Sequence, residues 1–445
     1  MPRGLVRAAF TAKSALLQGR IRREFRRMLD ADVEEPAVRE RRQRAEAMSL
    51  ARLAWDRTDF YRAHYAAAGI RRQDLDDPEA FESLPPVTKE HLREHRDGFL
   101  VSGTTARDTL PSSTGGSTGE PLTVLHDRES PVAAMWWRIH RWWGVHPGDH
   151  LAMIQRERRT PRQQALERAQ WWPTERLTLD ARTMTADGMR AFVDRMERVR
   201  PPLLTGYVGG VHELARFVAG RGSPPPPLLA VGVTAAPLTP SQRADIERAF
   251  SAPVYDQYRS AEVPWMAGEC RAHAGLHVLA DLRVLEVVDA SARRATGIGD
   301  VLVTDLRNRR FPLIRYRMGD RTQHLDGACP CGLTLPRIDA VQGRTSDVLR
   351  FASGRMVTGG LTGLFNTAPD AVRQFQIHQH ADHSITLRCV PGVRGAADPR
   401  LDEALERLRG LVDGEAPVRL ELVDEIRHDR GKVRVVLSDL PVSGA

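Results

Sequence analysis

No stretch of the 445 residues reaches the about eighteen consecutive apolar residues of a membrane span. The first 27 residues are Arg-rich, lack an acid before Glu24, and hold no apolar core long enough for a secretory signal. They read as a basic amphipathic helix packed on the main domain, with a membrane-surface helix as the alternative. The cytoplasm is the expected location. Four cysteines, Cys270, Cys329, Cys331 and Cys389, are too few for a disulfide scaffold. Lysine is scarce, and arginine carries most of the positive charge. The basic residues are scattered, and no basic run carries interleaved aromatics, which argues against nucleic acid as a partner. Internal repeats are absent.

What is present is a hydrophobic content of 41% and a charged content of 27%, a soluble globular balance, with a net charge of +8 that permits nucleic acid, an anionic membrane surface or a polyanionic small substrate. The length predicts two domains. Helical spacing over Arg39–Ala68 predicts two helices, and Thr88 caps another over Lys89–His95. Leu122–Leu125, Leu151–Gln155, Pro201–Tyr207 and Leu228–Val233 read as strands. Helices follow Pro131, run over Met184–Arg200 and Val211–Gly220, and start after Thr239 over Pro240–Phe250. Such alternation predicts an α/β domain with a largely parallel sheet. Strands over Val278–Val288, Asp300–Leu306 and Phe311–Gly319 predict a β-rich subdomain. Beyond Gly343, strands near Val348–Phe351, Arg373–His378, Ile385–Cys389 and Val418–Leu422, with a helix over Asp398–Val412, predict a small α+β domain. The expected division is residues 1–343 and 344–445.

The chemistry begins at Ser112-Ser113-Thr114-Gly115-Gly116-Ser117-Thr118-Gly119-Glu120-Pro121. Closely spaced amides and hydroxyls on a Gly-rich backbone suit a loop around a polyphosphate; a flexible linker is the alternative. Glu262, just after a strand, suits Mg²⁺ held against phosphates. Asp320, in Arg-Met-Gly-Asp, can accept both hydroxyls of a ribose. Gln342-Gly343-Arg344-Thr345-Ser346-Asp347 has the polarity of a hinge. Lys432, on a Gly-Lys loop, would stabilise charge growing on transferring groups. A surface salt bridge, a β-turn, a plain linker and a solvated lysine are the respective bland readings.

The ordered set Ser-Thr-Gly-Gly-Ser-Thr-Gly-Glu-Pro, Tyr-Arg-Ser-Ala-Glu, Ile-Arg-Tyr-Arg-Met-Gly-Asp, Gly-Arg-Thr-Ser-Asp and Gly-Lys resembles the adenylate-forming enzymes. It is most similar to their phenylacetate–CoA ligase and capsular-polysaccharide-biosynthesis branch, from about Leu84 to Val436. The resemblance implies a large N-terminal domain of mixed α/β layers with a β-rich subdomain, and a small mobile C-terminal lid. It implies that ATP activates a carboxylic acid as acyl-adenylate, which passes to a thiol such as coenzyme A. An amine or carrier-protein acceptor, or a catalytically degraded nucleotide-binding homologue, is the alternative. Ser113, Thr114, Gly116, Ser117, Thr118 and Gly119 would grip triphosphate. Tyr258, Arg259, Asp320 and Arg344 would contact the nucleotide, Glu262 would bind Mg²⁺, Lys432 would drive adenylation, and Ser346 would be the hinge. Trp136, Tyr207, Val233 and Ala235 would line the acid pocket, favouring an aryl or hydrophobic acid. Arg259 and Ala261 depart from the family's Gly and Thr or Ser, as do Ala236 from Glu and Ser346 from Asp. Arg259 could stack on adenine. A monomer or homodimer is expected.

Cys270, Cys329 and Cys331 with His273, or His277 in its place, have the composition of a closed Cys₃His zinc site. Buried free thiols or a redox pair are the alternatives. Members of the branch carry such a site, so the resemblance favours structural zinc.

Overall fold

Five short strands rich in Val, Ile, Leu and Ala set the centre of the chain. In the computed structural model, the described residues are 2–113, 122–155, 160–181, 184–221, 228–342, 349–353, 355–357, 361, 364–365, 368, 371–392, 394–426 and 435–440. The chain opens with helices α1 (Arg3–Leu17), α2 (Gly19–Ala31), α3 (Pro36–Arg57), α4 (Asp59–Ala67) and α5 (Lys89–Glu94). The Thr58 and Thr88 hydroxyls accept from Tyr61 N–H and His91 N–H, so each threonine starts the helix that follows it. Strands β1 (Thr109–Ser113) and β2 (Thr123–Asp127) pair antiparallel. Then come α6 (Val132–Trp142), β3 (Leu151–Gln155), α7 (Pro161–Trp171), β4 (Arg176–Asp180), α8 (Ala186–Val199), β5 (Leu203–Tyr207), α9 (Val208–Ala219), β6 (Ala230–Thr234), α10 (Pro240–Phe250) and β7 (Val254–Tyr258). The strands run parallel in the order β4-β3-β5-β6-β7.

Alternation along these strands feeds two cores. Ile154, Leu204, Val231 and Val233 face Phe192, Val211 and Ile246 of α8, α9 and α10. Met153, Leu203, Ala230 and Tyr255 face Met135 and Ile139 of α6, Met28 of α2 and Trp143. Each such aliphatic side chain contributes about 1.5–3 kcal/mol by leaving water. Gly206 answers to that packing: a Cβ there would stand 2.7 Å from the Ile154 carbonyl oxygen.

Strands β8 (Ala267–Glu269) and β9 (Leu276–Val278) continue the sheet antiparallel. Strands β10 (Arg283–Val288), β11 (Gly299–Asp305) and β12 (Tyr316–Thr322) form a separate antiparallel sheet, whereas β13 (His324–Leu325) and β14 (Arg337–Ile338) return to the edge of the main one. The expected β-rich subdomain is therefore smaller than the sequence pattern suggests. The expected strand Val278–Val288 is broken by a turn, in which Leu282 N–H and Arg283 N–H both donate to the Leu279 carbonyl. Its apolar run serves two sheets. The strand expected over Phe311–Gly319 starts only at Tyr316.

Beyond residue 349 the described chain has its own core, around Phe351, Ile377, Leu387, Cys389 and Leu408. A two-stranded piece, β15 (Leu349–Arg350) with β16 (Met356–Val357), precedes β17 (Val372–Gln379), β18 (Ile385–Pro391), α11 (Arg400–Val412), β19 (Val418–Leu422) and β20 (Val436–Ser438). The last four strands pair in the order β19-β18-β17-β20. Among the described residues, no helix is long and apolar enough to cross a membrane.

The basic N-terminal helices sit on α6 and α7. Phe10 meets the Trp137 and Trp171 rings at 5.9 and 6.3 Å. Arg3 and Arg7 each bring two nitrogens to the Asp149 carboxylate at 2.8–2.9 Å. Burial alone would raise the Asp149 carboxyl, but hydrogen bonds from Arg3 and Arg7 outweigh it and hold it well below the usual carboxylate range. A depressed folded value gives stability that is present above the unfolded carboxyl's value and lost as pH falls through the folded one. Asp149→Asn should thus lower the melting temperature at neutral pH. The gap to the parent should shrink on acidification below about pH 4, as melting curves across pH would show.

Arg138 is fully buried and bridges Asp32, after α2, to Asp281, at 2.8 and 2.6 Å. Removing it would leave two buried carboxylates without their cation. Arg138→Met should cost about 3–5 kcal/mol in denaturant unfolding.

Candidate active site

The Ser/Gly stretch starts on β1 and continues in sequence toward β2. Ser112 pairs with Val124 and Ser113 with Thr123. Thr114, Gly116, Ser117, Thr118 and Gly119 lie outside the described residues, as do Arg344, Ser346 and Lys432. The hairpin is fastened on two sides. His126 on β2 meets the Ala261 carbonyl through Nε2 at 2.8 Å. Burial lowers its basicity, so the ring is neutral and Nε2–H donates. Asn308 accepts from Asp127 N–H and donates to the Leu125 carbonyl, tying β2 to the segment after β11.

The turn after β7 is held by its own serine. Ser260 Oγ accepts from Glu262 N–H at 3.1 Å and Val263 N–H at 2.9 Å. That turn buries Glu262, which is only 5% exposed. Tyr258, at the end of β7, donates its hydroxyl to Asp320 Oδ2 on β12 at 2.7 Å. Tyr316 lies near Glu262. Its hydroxyl is buried without a partner among the described residues. Burial pushes its phenol well above the usual value, and the Glu262 carboxylate adds to this. Tyr258 on the main sheet and Asp320 on the second sheet, 62 residues apart in sequence, thus meet, with Glu262 in the turn four residues after Tyr258.

Other expected residues fall elsewhere. Val233 is fully buried in the core against α8–α10. The Trp136 indole stacks on Trp171 with ring centres 6.0 Å apart and under the Arg176 guanidinium at 4.5 Å, a packing role between α6 and α7. Tyr207 is half-buried at the start of α9. Ala235 is exposed at φ 74°, a strained position for a residue with a Cβ. Arg259 lies over the Trp265 ring at 5.1 Å, the aromatic face it meets. Burial, with Arg176 and Arg259 nearby, pushes the His140 imidazole down to about 3. His140 Nε2 and both ends of the Gln257 amide are buried without partners among the described residues. No sequence motif marks His126, His140 or Gln257, and Tyr316 lies inside the Ile-Arg-Tyr-Arg-Met-Gly-Asp motif without an expected role of its own.

The thiols gather. Cys270 Sγ is 3.6 Å from Cys329 Sγ, and Cys331 Sγ is 3.3 Å from His277 Nε2. The four donor atoms lie within 4.8 Å of one another. A tetrahedral Zn²⁺ with Zn–S of about 2.3 Å needs sulfurs about 3.8 Å apart, so the donor set fits. Burial pushes the His277 ring down to about 4, and Nδ1 meets the Leu335 carbonyl at 3.2 Å, leaving Nε2 as the ligand atom. His273, the first expectation, does not join. Its ring stacks on Tyr255 at 5.0 Å, and Nδ1 faces Glu269 at 3.0 Å. The cause is the β8–β9 register: His273 is in the turn, whereas His277 lies on β9 beside β14, which carries the Cys329–Cys331 segment alongside.

No family model matches the chain. It is similar to protein CapK of Staphylococcus aureus, 24% identical over 288 residues, covering 62% of this chain and 61% of that one. The match thus spans under two thirds of that relative's length. The phenylacetate-coenzyme A ligase of Escherichia coli K12 is 28% identical over 331 residues, covering 68% of this chain and 72% of that one. Among solved structures, 2-hydroxyisobutyryl-CoA ligase in the postadenylation state with 2-HIB-AMP superposes with a TM-score of 0.75 at 22% identity, covering 92% of this chain and 91% of that one. In its thioesterification state with 2-HIB-AMP and CoA, the same protein gives a TM-score of 0.63 at the same identity and coverage. The chain has the fold of the adenylate-forming superfamily. By sequence it is similar to CapK and to phenylacetate-coenzyme A ligases, at 24–28% identity.

Proposed function

We propose that this chain is an ATP-dependent carboxylate ligase that passes an acyl group from its adenylate to a thiol, with coenzyme A as the first candidate. The observation that carries the reading is the Tyr258–Asp320 bond, with Glu262 buried in the turn that follows Tyr258 and that turn tied through the Ala261 carbonyl to His126 of the β1–β2 hairpin. In the first half-reaction a carboxylate oxygen attacks the α-phosphorus of ATP and pyrophosphate leaves. In the second the thiol attacks the acyl carbon and AMP leaves. The chain's part is positioning and charge stabilisation. Asp320, oriented by the Tyr258 hydroxyl, accepts the ribose hydroxyls. Ser113, Thr114, Gly116, Ser117, Thr118 and Gly119 surround the triphosphate, and Arg344 meets the nucleotide. Glu262 would hold Mg²⁺, which neutralises phosphate charge when bound. Lys432 faces the carboxylate–phosphate junction. Residues 1–343 form the large domain, and residues 344–445 turn as a lid about Ser346 between the half-reactions. The two unequal superpositions on one ligase support that motion. Zinc at Cys270, His277, Cys329 and Cys331, with four protein ligands, is structural.

Pyrophosphate release with ATP, Mg²⁺ and a panel of aryl and alkyl acids tests this reading, with hydroxylamine trapping the adenylate. Lys432→Ala should slow adenylation about 100-fold or more without altering the melting temperature. If no acid elicits pyrophosphate and no hydroxamate forms, the ligase reading fails. Tight binding of an acyl-sulfamoyl adenosine would then leave a nucleotide-binding homologue.

A further inference from the structure

Helix α1 is apolar on two sides. Val6, Phe10 and Ser14, four residues apart, are buried against the seat on α6 and α7. On the other side, Leu5, Ala8, Ala12, Ala15 and Leu16 recur at helical spacing, and all five are exposed. Leu5 is 58% exposed, Leu16 83%, and Leu17, at the corner into α2, 73%. No charged residue interrupts this outward stripe, where a water-facing helix ordinarily carries its charges. Trp172, 60% exposed, stands at the same end. Lys13 Nζ donates to its carbonyl at 2.9 Å and lies 5.9 Å from its ring centre.

The stripe sits in a positive field. Arg3 to Arg27 hold eight basic residues and one acid, Glu24. Asp149 and Glu129, which pair with Arg3, Arg7 and Arg20, bring the acids to three, so the patch keeps a net charge of +5. Arg23 and Arg26 are exposed and have no carboxylate partner among the described residues.

Charge alone would serve an acidic protein or nucleic acid, and either would leave the outward leucines and Trp172 in water. An apolar stripe with a terminal tryptophan, bordered by arginines, instead matches an interfacial helix, whose apolar side enters the headgroup boundary while its cations meet lipid phosphates. We propose that α1 and α2 form a docking surface for an anionic bilayer leaflet. Leu5, Leu16, Leu17 and Trp172 enter the boundary, and Arg23 and Arg26 pair with phosphates. Without a lipid chain the attachment is reversible, and it places the ligase at the membrane without a span.

Vesicle flotation of the full chain tests this. The chain should float with phosphatidylcholine mixed with phosphatidylglycerol and not with phosphatidylcholine alone. Leu5→Ser with Leu16→Ser should lower partition at least about tenfold, with the melting temperature unchanged, since both side chains face water. Arg23→Glu with Arg26→Glu should lower it at least about fivefold per arginine, and salt should weaken parental binding. Absence of flotation on the mixed vesicles would overturn the proposal. So would flotation that the leucine variant leaves intact while heparin retains both proteins equally, because the patch would then be a polyanion site.

Discussion

Zinc bound at the proposed Cys270–His277–Cys329–Cys331 site should be lost in Cys329→Ser, about one ion per chain, with folding stability lowered by at least about 4 kcal/mol. The reason is geometric. Cys270 follows β8, His277 is on β9, and Cys329 and Cys331 lie in the segment that leads into β14. These pieces belong to the edge of the main sheet, where β9 and β14 share only two paired positions. Two ladder pairs cannot hold an edge by themselves, and a closed four-ligand ion would bind three segments at once. The same site reaches the N-terminal helices, because Thr334 N–H donates to the Asp32 carbonyl and its hydroxyl to the Glu34 carbonyl. Serine keeps the volume but gives up the soft thiolate that zinc prefers. Metal analysis of purified protein with thermal unfolding checks the result. His273→Ala is the contrast and should keep its zinc. A Cys329→Ser protein with full zinc content and unchanged unfolding would remove the metal from this cluster.

Glu262→Gln slows adenylation about 100-fold or more and leaves unfolding nearly unchanged. The amide matches the carboxylate in shape and keeps the Ser260 turn, which is made by backbone N–H groups. What it loses is the negative charge beside the phosphates. The loss should show as a raised Mg²⁺ requirement, with coenzyme A transfer from a preformed adenylate much less affected. Equal Mg²⁺ dependence in parent and variant would place the metal elsewhere. Tyr258→Phe is a milder companion: it frees Asp320 from its hydroxyl and should raise the KM for ATP more than it lowers kcat.

Local signals were legible in the sequence, and long-range ones were not. Thr239 before Pro240 announces α10, and the structure starts that helix there with the Thr239 hydroxyl accepting from Gln242 N–H. Apolar runs mark β3, β5, β6 and β7. By contrast, α7 and β4 carry no strong signal. The helix is polar and mostly solvated, and the strand is an edge, where Arg176 and Asp180 dilute its two leucines. The close approach of Ile154 that requires Gly206 is not visible in the sequence. The Tyr258–Asp320 bond spans 62 residues and His126–Ala261 spans 135, separations that no periodicity reports. Proximity in sequence favoured His273 over His277, and a two-stranded register reversed the choice.

The seating of α1 and α2 has a consequence for the order in which the protein can be made. These helices are synthesised before the segments that cover them. Phe10 and Lys13 need Trp171 and the carbonyls of residues 169–172. Asp32 and Glu34 need Thr334, some 300 residues on. Until then the inward stripe of α1 has no cover, and both of its apolar sides face the surroundings. A nascent chain therefore offers this apolar helix uncovered until its partners are made, and whatever meets it during synthesis meets it before that seat exists.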